Sequence, residues 1–391
     1  MKRFLTILAA AALAVSSLGA QELTNFASGK RKPIISPEIQ NDSVTFRLKA
    51  DYATIVKLSG SWMPNPWGDT IEMTRGENNV WSVKIPLPAP EIYTYHFVVD
   101  GVAVNDPQNV LVQRDGTRYL PMLTVPGERT ENYWEASRHG TVSHPWYDSK
   151  ILGMSRRLTV YTPYDYEANP KKKYPVLYLL HGAGGDEEAW TSMGRTAQIL
   201  DNLIEKGLAE PMIVVMPNGN ANQAAARTLG IPEKQMQMRW DREALAQMPE
   251  AERNKLMNGY VMSLCEEIVP FIEKNFRAIA KPASRAIAGL SMGGGHTITA
   301  SNMYPEMFDY ICPLSAAGSA TPEQIATLKK AGVKLYFLAC GNTDFLFEGS
   351  QTLDKTLTEQ GLDHEFFVSE GGHVWANWRL YLNTFARKLF K

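Results

Sequence analysis

Apolar and polar positions follow two different rhythms along the chain, and the rhythm changes near residue 135. Before it, residues 44–48, 80–85 and 93–99 alternate with a period of two, as half-buried strands do. Asp100-Gly101 follows the third of these and predicts a hairpin, because both residue types tolerate the positive φ angles of such turns. Glu77-Asn78-Asn79 and the stretch 86–90 punctuate the rest, and no helix-period segment interrupts it. The region 21–128 therefore reads as an all-β, immunoglobulin-like sandwich. From Leu158 onward, apolar runs alternate with helical patterns at 187–206, 260–275, 321–331 and 375–390. That alternation predicts an α/β domain over 150–391, with a mainly parallel sheet covered by helices on both faces. Residues 129–149, polar and aromatic with few periodic features, read as a linker.

One of the apolar runs ends in chemistry. Arg285-Ala286-Ile287-Ala288 leads into Gly289-Leu290-Ser291-Met292-Gly293 and then into small residues that open a helix. The pattern G-x-S-x-G sets a serine at a sharp turn between strand and helix, exposed at the top of an α/β sheet. Asp344 and His373 follow in the order that fold requires. Each lies just past a predicted strand, after 333–340 and 365–368, on the edge where open α/β sheets bind ligands. A serine hydroxyl needs a base to become a nucleophile, and a carboxylate keeps the imidazole in the working tautomer. Of the other nearby carboxylates, Glu348 is expected to open the next helix and Asp363 precedes a strand at the opposite edge. The run Val176-Leu177-Tyr178-Leu179-Leu180 leads into His181-Gly182-Ala183-Gly184-Gly185. Such a loop supplies one oxyanion-hole N–H, expected from Ala183, and the residue after the nucleophile, Met292, supplies the other.

Composition narrows the partners. At 391 residues the chain is long enough for two domains, and its net charge of −1 suggests neither nucleic acid nor an anionic membrane. Lys2-Arg3, an apolar core from Phe4 to Val15 and small residues to Ala20 predict a signal peptide over 1–20. Its removal takes two positive charges and leaves −3. No cysteine follows the apolar core, the stretch is too short for a stable membrane span and no other run approaches about eighteen apolar residues, so the expectation is a secreted or periplasmic protein without membrane insertion. Cys265, Cys312 and Cys340 all lie in apolar runs and read as buried free thiols. No H-x-H or H-E-x-x-H spacing appears, and no G-x-G-x-x-G follows a strand, so neither metal nor dinucleotide cofactor is expected. His181 reads as shaping the oxyanion loop, and His296 as packing in the helix after the serine.

The motifs together are similar to carbohydrate esterase family 1, the esterase-D-like branch of the α/β-hydrolases. The similarity runs from His139-Gly140-Thr141-Val142 through Leu158-Thr159-Val160-Tyr161-Thr162-Pro163 and the segments around His181, Ser291 and Asp344 to Gly372-His373-Val374-Trp375. More faintly, Leu58-Ser59-Gly60-Ser61-Trp62 and 95–101 resemble the early-set sandwich of carbohydrate-binding module family 48. The pairing resembles exported feruloyl and acetyl-xylan esterases, and enterobactin-type siderophore esterases share the layout. The resemblance implies Ser291, Asp344 and His373 as triad and Ala183 with Met292 as oxyanion donors. It also implies feruloylated or acetylated xylan, arabinoxylan and their oligosaccharides as partners.

Substrate selection is expected from aromatic residues. The long segment 218–252 carries Met236, Met238, Trp240 and Met248, and reads as a cap or pocket wall. Trp240 and Trp375, with Trp378 nearby, would form an apolar slot for a planar phenolic acyl group, favouring feruloyl over acetyl. Trp378 reads equally as core. In the sandwich Trp81 reads as core, while Trp62 and Trp67 flank a loop and either stack on a glycan or lean over the esterase cleft. A siderophore esterase would need cationic lining, for which Arg227, Arg239 and Arg242 are candidates. A non-catalytic carbohydrate-binding protein is the remaining reading, opposed by the complete set of catalytic residue types.

Overall fold

The computed structural model describes residues 33–65, 68–220 and 246–391. The leader-like residues 1–20, Trp67, Trp240, Met236, Met238 and the three arginines of the long segment lie outside the described residues.

The N-terminal region is built from β1 (Glu38–Gln40), β2 (Ser43–Lys49), β3 (Val56–Gly60), β4 (Ile71–Glu72) and β5 (Thr74–Arg75), then β6 (Val80–Pro86), β7 (Ile92–Val99), β8 (Val102–Val104), β9 (Val112–Asp115) and β10 (Arg118–Thr124). They form one sheet ordered β1-β2-β6-β5 and a second ordered β4-β3-β7-β10-β9, with β8 on β7. All of their pairings are antiparallel. The period-two pattern explains the packing. Val44, Phe46 and Leu48 of β2 meet Leu58, Tyr95 and Phe97 of the second sheet in one apolar core. Trp81 joins that core, its indole N–H donating to the Ala50 carbonyl at 3.2 Å. At the β7–β8 turn Asp100 and Gly101 have φ of 47° and 88°, as expected for the hairpin.

The C-terminal region carries a nine-stranded sheet. Its strands are β11 (Thr141–Ser143), β12 (Trp146–Ser149), β13 (Met154–Thr162), β14 (Val176–Leu180) and β15 (Ile213–Pro217), then β16 (Arg285–Leu290), β17 (Tyr310–Leu314), β18 (Leu335–Gly341) and β19 (Glu365–Ser369). The order is β11-β13-β15-β14-β16-β17-β18-β19, with β12 also on β13. From β15 to β19 every neighbour is parallel. Alternate residues of β14 enter two separate cores, Tyr178 and Leu180 on one face and Leu177 and Leu179 on the other. Helices cover both faces, which is why these strands are apolar throughout. The fold is an α/β-hydrolase domain preceded by a β-sandwich.

Three expectations need correction. Residues 141–149, read as part of a linker, supply β11 and β12, which extend the hydrolase sheet. The helix expected over 187–206 is two helices, Ala189–Ser192 and Thr196–Glu205. A Cβ at Gly194 would sit 2.5 Å from the Trp190 carbonyl oxygen, and Arg195 adopts φ 54°, so the chain turns there. The pattern at 260–275 is the end of a longer run that starts with Glu250–Ser263, passes a π turn at Leu264–Ile268 and resumes as Val269–Asn275. Pro270 lacks the N–H for a regular α bond, which accounts for the widened turn.

The two regions are joined by polar contacts. The guanidinium of Arg379, in the helix Trp375–Phe385, donates to Glu91 at 2.9 Å and to the Met193 carbonyl at 2.7 Å. Arg129 holds the second Glu91 oxygen at 2.6 Å. Arg114 of β9 binds both Asp186 oxygens, at 2.6 and 2.7 Å. Ile92 and Met122 of the sandwich sit in the same apolar cluster as Tyr133 and Trp190.

Candidate active site

Ser291 stands between β16 and the helix Met292–Met303, with φ 53° and ψ −115°. For a residue with a side chain that conformation costs about 1–3 kcal/mol and must be enforced by its surroundings. They enforce it through close approach. A Cβ at Gly289 would fall 2.4 Å from the Gly293 carbonyl oxygen, and one at Gly293 2.6 Å from the His181 and Leu180 carbonyl oxygens. The Ser291 N–H is tied to the Leu314 carbonyl at 2.9 Å. The glycines are thus required by contact, and the turn carries Ser291 to the carboxyl edge of the sheet.

The histidine and the acid arrive from the same edge. Asp344 follows β18 and its carboxylate is fully buried, accepting the Leu346 N–H at 2.9 Å. Its two oxygens lie 3.0 and 2.9 Å from Nδ1 of His373. The imidazole is packed edge-on by Trp378 at 4.9 Å between ring centroids. Trp378 is in turn fixed by its indole N–H donating to the Ser315 hydroxyl at 3.0 Å. Glu348 falls in the first turn of the helix Phe347–Glu359 and Asp363 precedes β19, so neither competes with Asp344 for this imidazole.

The loop after β14 folds back against the serine. A Cβ at Gly182 would fall 2.4 Å from Leu290 Cδ1 and 3.3 Å from the Ser291 Cβ, so a glycine here lets the loop lie close against the serine turn. His181 anchors the loop: the Gly219 N–H donates to its Nε2 at 2.8 Å, and Nδ1 lies 2.7 Å from the Gly182 carbonyl. With Gly219 as donor, Nε2 is the acceptor, so the proton belongs on Nδ1. Burial lowers the His181 pKa, in keeping with a neutral ring. Met292 is the first residue of its helix, where backbone N–H groups lack intrahelical partners.

Ser291, His373, Ala183 and Trp375 border one cavity of about 830 Å³. Its far side is formed by the sandwich, including Thr94, His96, Asp115 and Arg118. Trp375 packs edge-on between Trp190 at 5.3 Å and Trp378 at 5.1 Å, so the expected slot aromatic is also a structural one. Trp62 is elsewhere. It stacks on Phe46 at 5.6 Å and meets Tyr93 edge-on at 6.0 Å, folded over Gly60 as part of the sandwich core. Trp62 thus packs against the sandwich core while staying partly exposed, and it is not among the residues that border this cavity. Sequence reasoning missed Phe345, whose ring lies 4.5 Å from that of His373 while staying 76% exposed. An apolar residue directly after the acid, in a turn, was the available signal. His296 packs against Tyr260 at 4.8 Å, and the three cysteines are buried and free.

That turn at that edge of the sheet places the C-terminal domain among the serine hydrolases of α/β-hydrolase fold. Within that fold, residues 149–330 match the family model described as "Putative esterase". The chain is 33% identical over 333 residues to an endo-1,4-beta-xylanase/feruloyl esterase of Xylanibacter ruminicola, covering 83% of this chain. It spans 42% of that relative's length. A ferulic acid esterase structure matches with TM-score 0.50 and 28% identity, over 64% of this chain and 98% of its own. A CE1 ferulic acid esterase from Anaeromyces mucronatus superposes with TM-score 0.54 at 22% identity, over 68% and 96%. The enterobactin esterase of Shigella flexneri superposes with TM-score 0.59 at 18% identity, over 90% of this chain and 94% of its own. The similarity to carbohydrate esterase family 1 read from the sequence motifs holds.

Proposed function

We propose that this chain hydrolyses hydroxycinnamoyl esters, feruloyl foremost, of arabinoxylan-type polysaccharide through an acyl-enzyme on Ser291. The observation that carries the reading is the Asp344–His373 pair brought to the same cavity as the strained Ser291 turn. In this scheme Ser291 Oγ attacks the ester carbonyl as His373 Nε2 takes its proton, and Asp344 stabilises the imidazolium. The N–H groups of Ala183 and Met292 receive the developing oxyanion. Collapse breaks the bond to the alcohol, which leaves with the proton from His373. A water then attacks the acyl-serine, His373 taking its proton and returning it to Ser291 Oγ as the acid departs.

Trp375 on the cavity wall and Phe345 beside the imidazole favour a planar aromatic acyl group over acetyl, which needs far less room. The xylanase/feruloyl esterase relative points the same way. The leader-like residues 1–20 support export. Among the described residues no helix is long and apolar enough to cross a membrane. Methyl ferulate, an aryl acetate and acetylated xylan assayed side by side test the acyl choice. The expected order of kcat/KM puts methyl ferulate first, and a clear preference for the two acetates would overturn it.

A further inference from the structure

The cavity has two chemically different sides. On the hydrolase side Leu290, Val374 and Trp375 give an apolar surface next to Ser291. On the sandwich side the strand pattern decides what faces in. Tyr95 and Phe97 of β7 point into the sandwich core, so Thr94 and His96, between and before them, occupy the other face and line the cavity. Asp115 and Arg118, at the end of the neighbouring β9–β10 hairpin, continue that face and hold each other at 2.8 Å. The side-chain amide of Asn105, donating to the Tyr119 carbonyl at 2.9 Å, borders it. An ester with an apolar aryl acyl group and a polyhydroxylated alcohol would match such a cavity end for end.

Charge selects among alcohols. Among the described residues, the lining carries four charged side chains besides its histidines: Glu91, Asp115, Arg118 and Arg379. Two are negative and two positive, so they cancel, and each cation is paired within the lining, Arg379 to Glu91 at 2.9 Å and Arg118 to Asp115 at 2.8 Å. Among the described residues no excess of positive charge is left to favour an anionic ligand, whereas sugar hydroxyls are served by adjoining donors and acceptors. Burial lowers the His96 pKa, and a neutral imidazole offers one donor and one acceptor.

We propose that the outer face of the sandwich, centred on His96 with Asp115 and Arg118, is the alcohol-side subsite of the esterase and binds a neutral sugar as the leaving group. This rests on reading the site as that of an ester hydrolase, but not on which acyl group it takes. The sandwich would then complete the active site directly, rather than bind polysaccharide at a remote surface.

The test compares acyl-matched pairs: feruloylated arabinoxylo-oligosaccharide against methyl ferulate, and acetylated xylo-oligosaccharide against methyl acetate. His96→Ala and the double variant Asp115→Asn/Arg118→Gln are assayed beside the wild type, with thermal melts on each. The ratio of kcat/KM for sugar ester over methyl ester is expected to fall about tenfold in each variant, mainly through KM, as for loss of one or two hydrogen bonds. An unchanged ratio in both variants overturns the subsite, whatever happens to the absolute rates. Wild-type turnover of acetyl but not feruloyl esters would overturn the acyl assignment alone, because the acetyl pair still reports the ratio.

Discussion

The two sides of the cleft are built on opposite economies of structure. On the hydrolase side each candidate catalytic group is held by contacts with no slack: Ser291 at φ 53°, Gly289 and Gly293 against neighbouring backbone, and Asp344 fully buried under His373. On the sandwich side His96, Asp115 and Arg118 sit on ordinary extended strands, with Arg118 half exposed. Rigid placement suits chemistry, where an error of an ångström is costly. A pleated face with alternate outward residues suits recognition, where several moderate contacts add. Damage on the first side should be close to total for turnover, and damage on the second graded.

The sharpest break in that contrast comes from Ser291→Ala. Ester turnover is expected to fall about a million-fold, as when other serine nucleophiles are removed, with the fold retained by circular dichroism. Asp344→Asn should follow at about ten-thousand-fold, through loss of the oriented imidazole tautomer. Glu348→Gln and Asp363→Asn should change far less. If Glu348→Gln were the crippling variant, the acid would have been misassigned.

At the seam between the two sides the expected effect is on stability. Glu91→Gln leaves the guanidinium of Arg379, which is almost fully buried, without its carboxylate. Breaking such a pair costs about 3 kcal/mol or more, to be read from urea unfolding monitored in both domains. A loss below about 1 kcal/mol would mean that water or another group replaces the carboxylate. The smallest effect concerns pH. The buried His181 titrates below its ordinary value, so near pH 6 the unfolded chain binds more protons than the folded one. Stability should therefore fall as pH drops through about 6.5 toward the folded pKa. In His181→Asn that dependence should be shallower, though the variant is less stable at pH 8. An identical slope would remove the buried imidazole from the account.

The same contrast explains what could be read from residues alone. Gly289, Ser291 and Gly293 are legible because a side chain in place of either glycine would collide with backbone, which leaves a fixed pattern. Asp100-Gly101 is legible through its positive φ angles, and the helix Pro322–Ala331 through its helical pattern; the structure closes it with a capping box of Thr321 with Gln324 and a left-handed Gly332. The break at Gly194-Arg195 hides inside an unbroken helical periodicity, since the steric clash with Trp190 is set by the fold of the turn. β11 and β12 are too short, and Trp146 too exposed, to show an alternating pattern. The sandwich lining is the least legible of all. Polar residues on the outer face of a strand look the same whether they face solvent or a substrate, and only the docking of the second domain tells them apart.

The three-way contact of Glu91 with Arg379 and Arg129 bears on how such chains can be recombined. Arg379 lies six residues beyond His373 on the polypeptide that follows the imidazole, so the sandwich grips the catalytic arm itself. A chimera that joins this hydrolase domain to another sandwich inherits a buried cation with no counter-charge, unless the donor carries a carboxylate at the position of Glu91. Exchange of the two halves is thus governed by a lock of matched charges rather than by linker length, and swaps that keep Glu91, Arg129 and Arg379 together are the ones expected to fold.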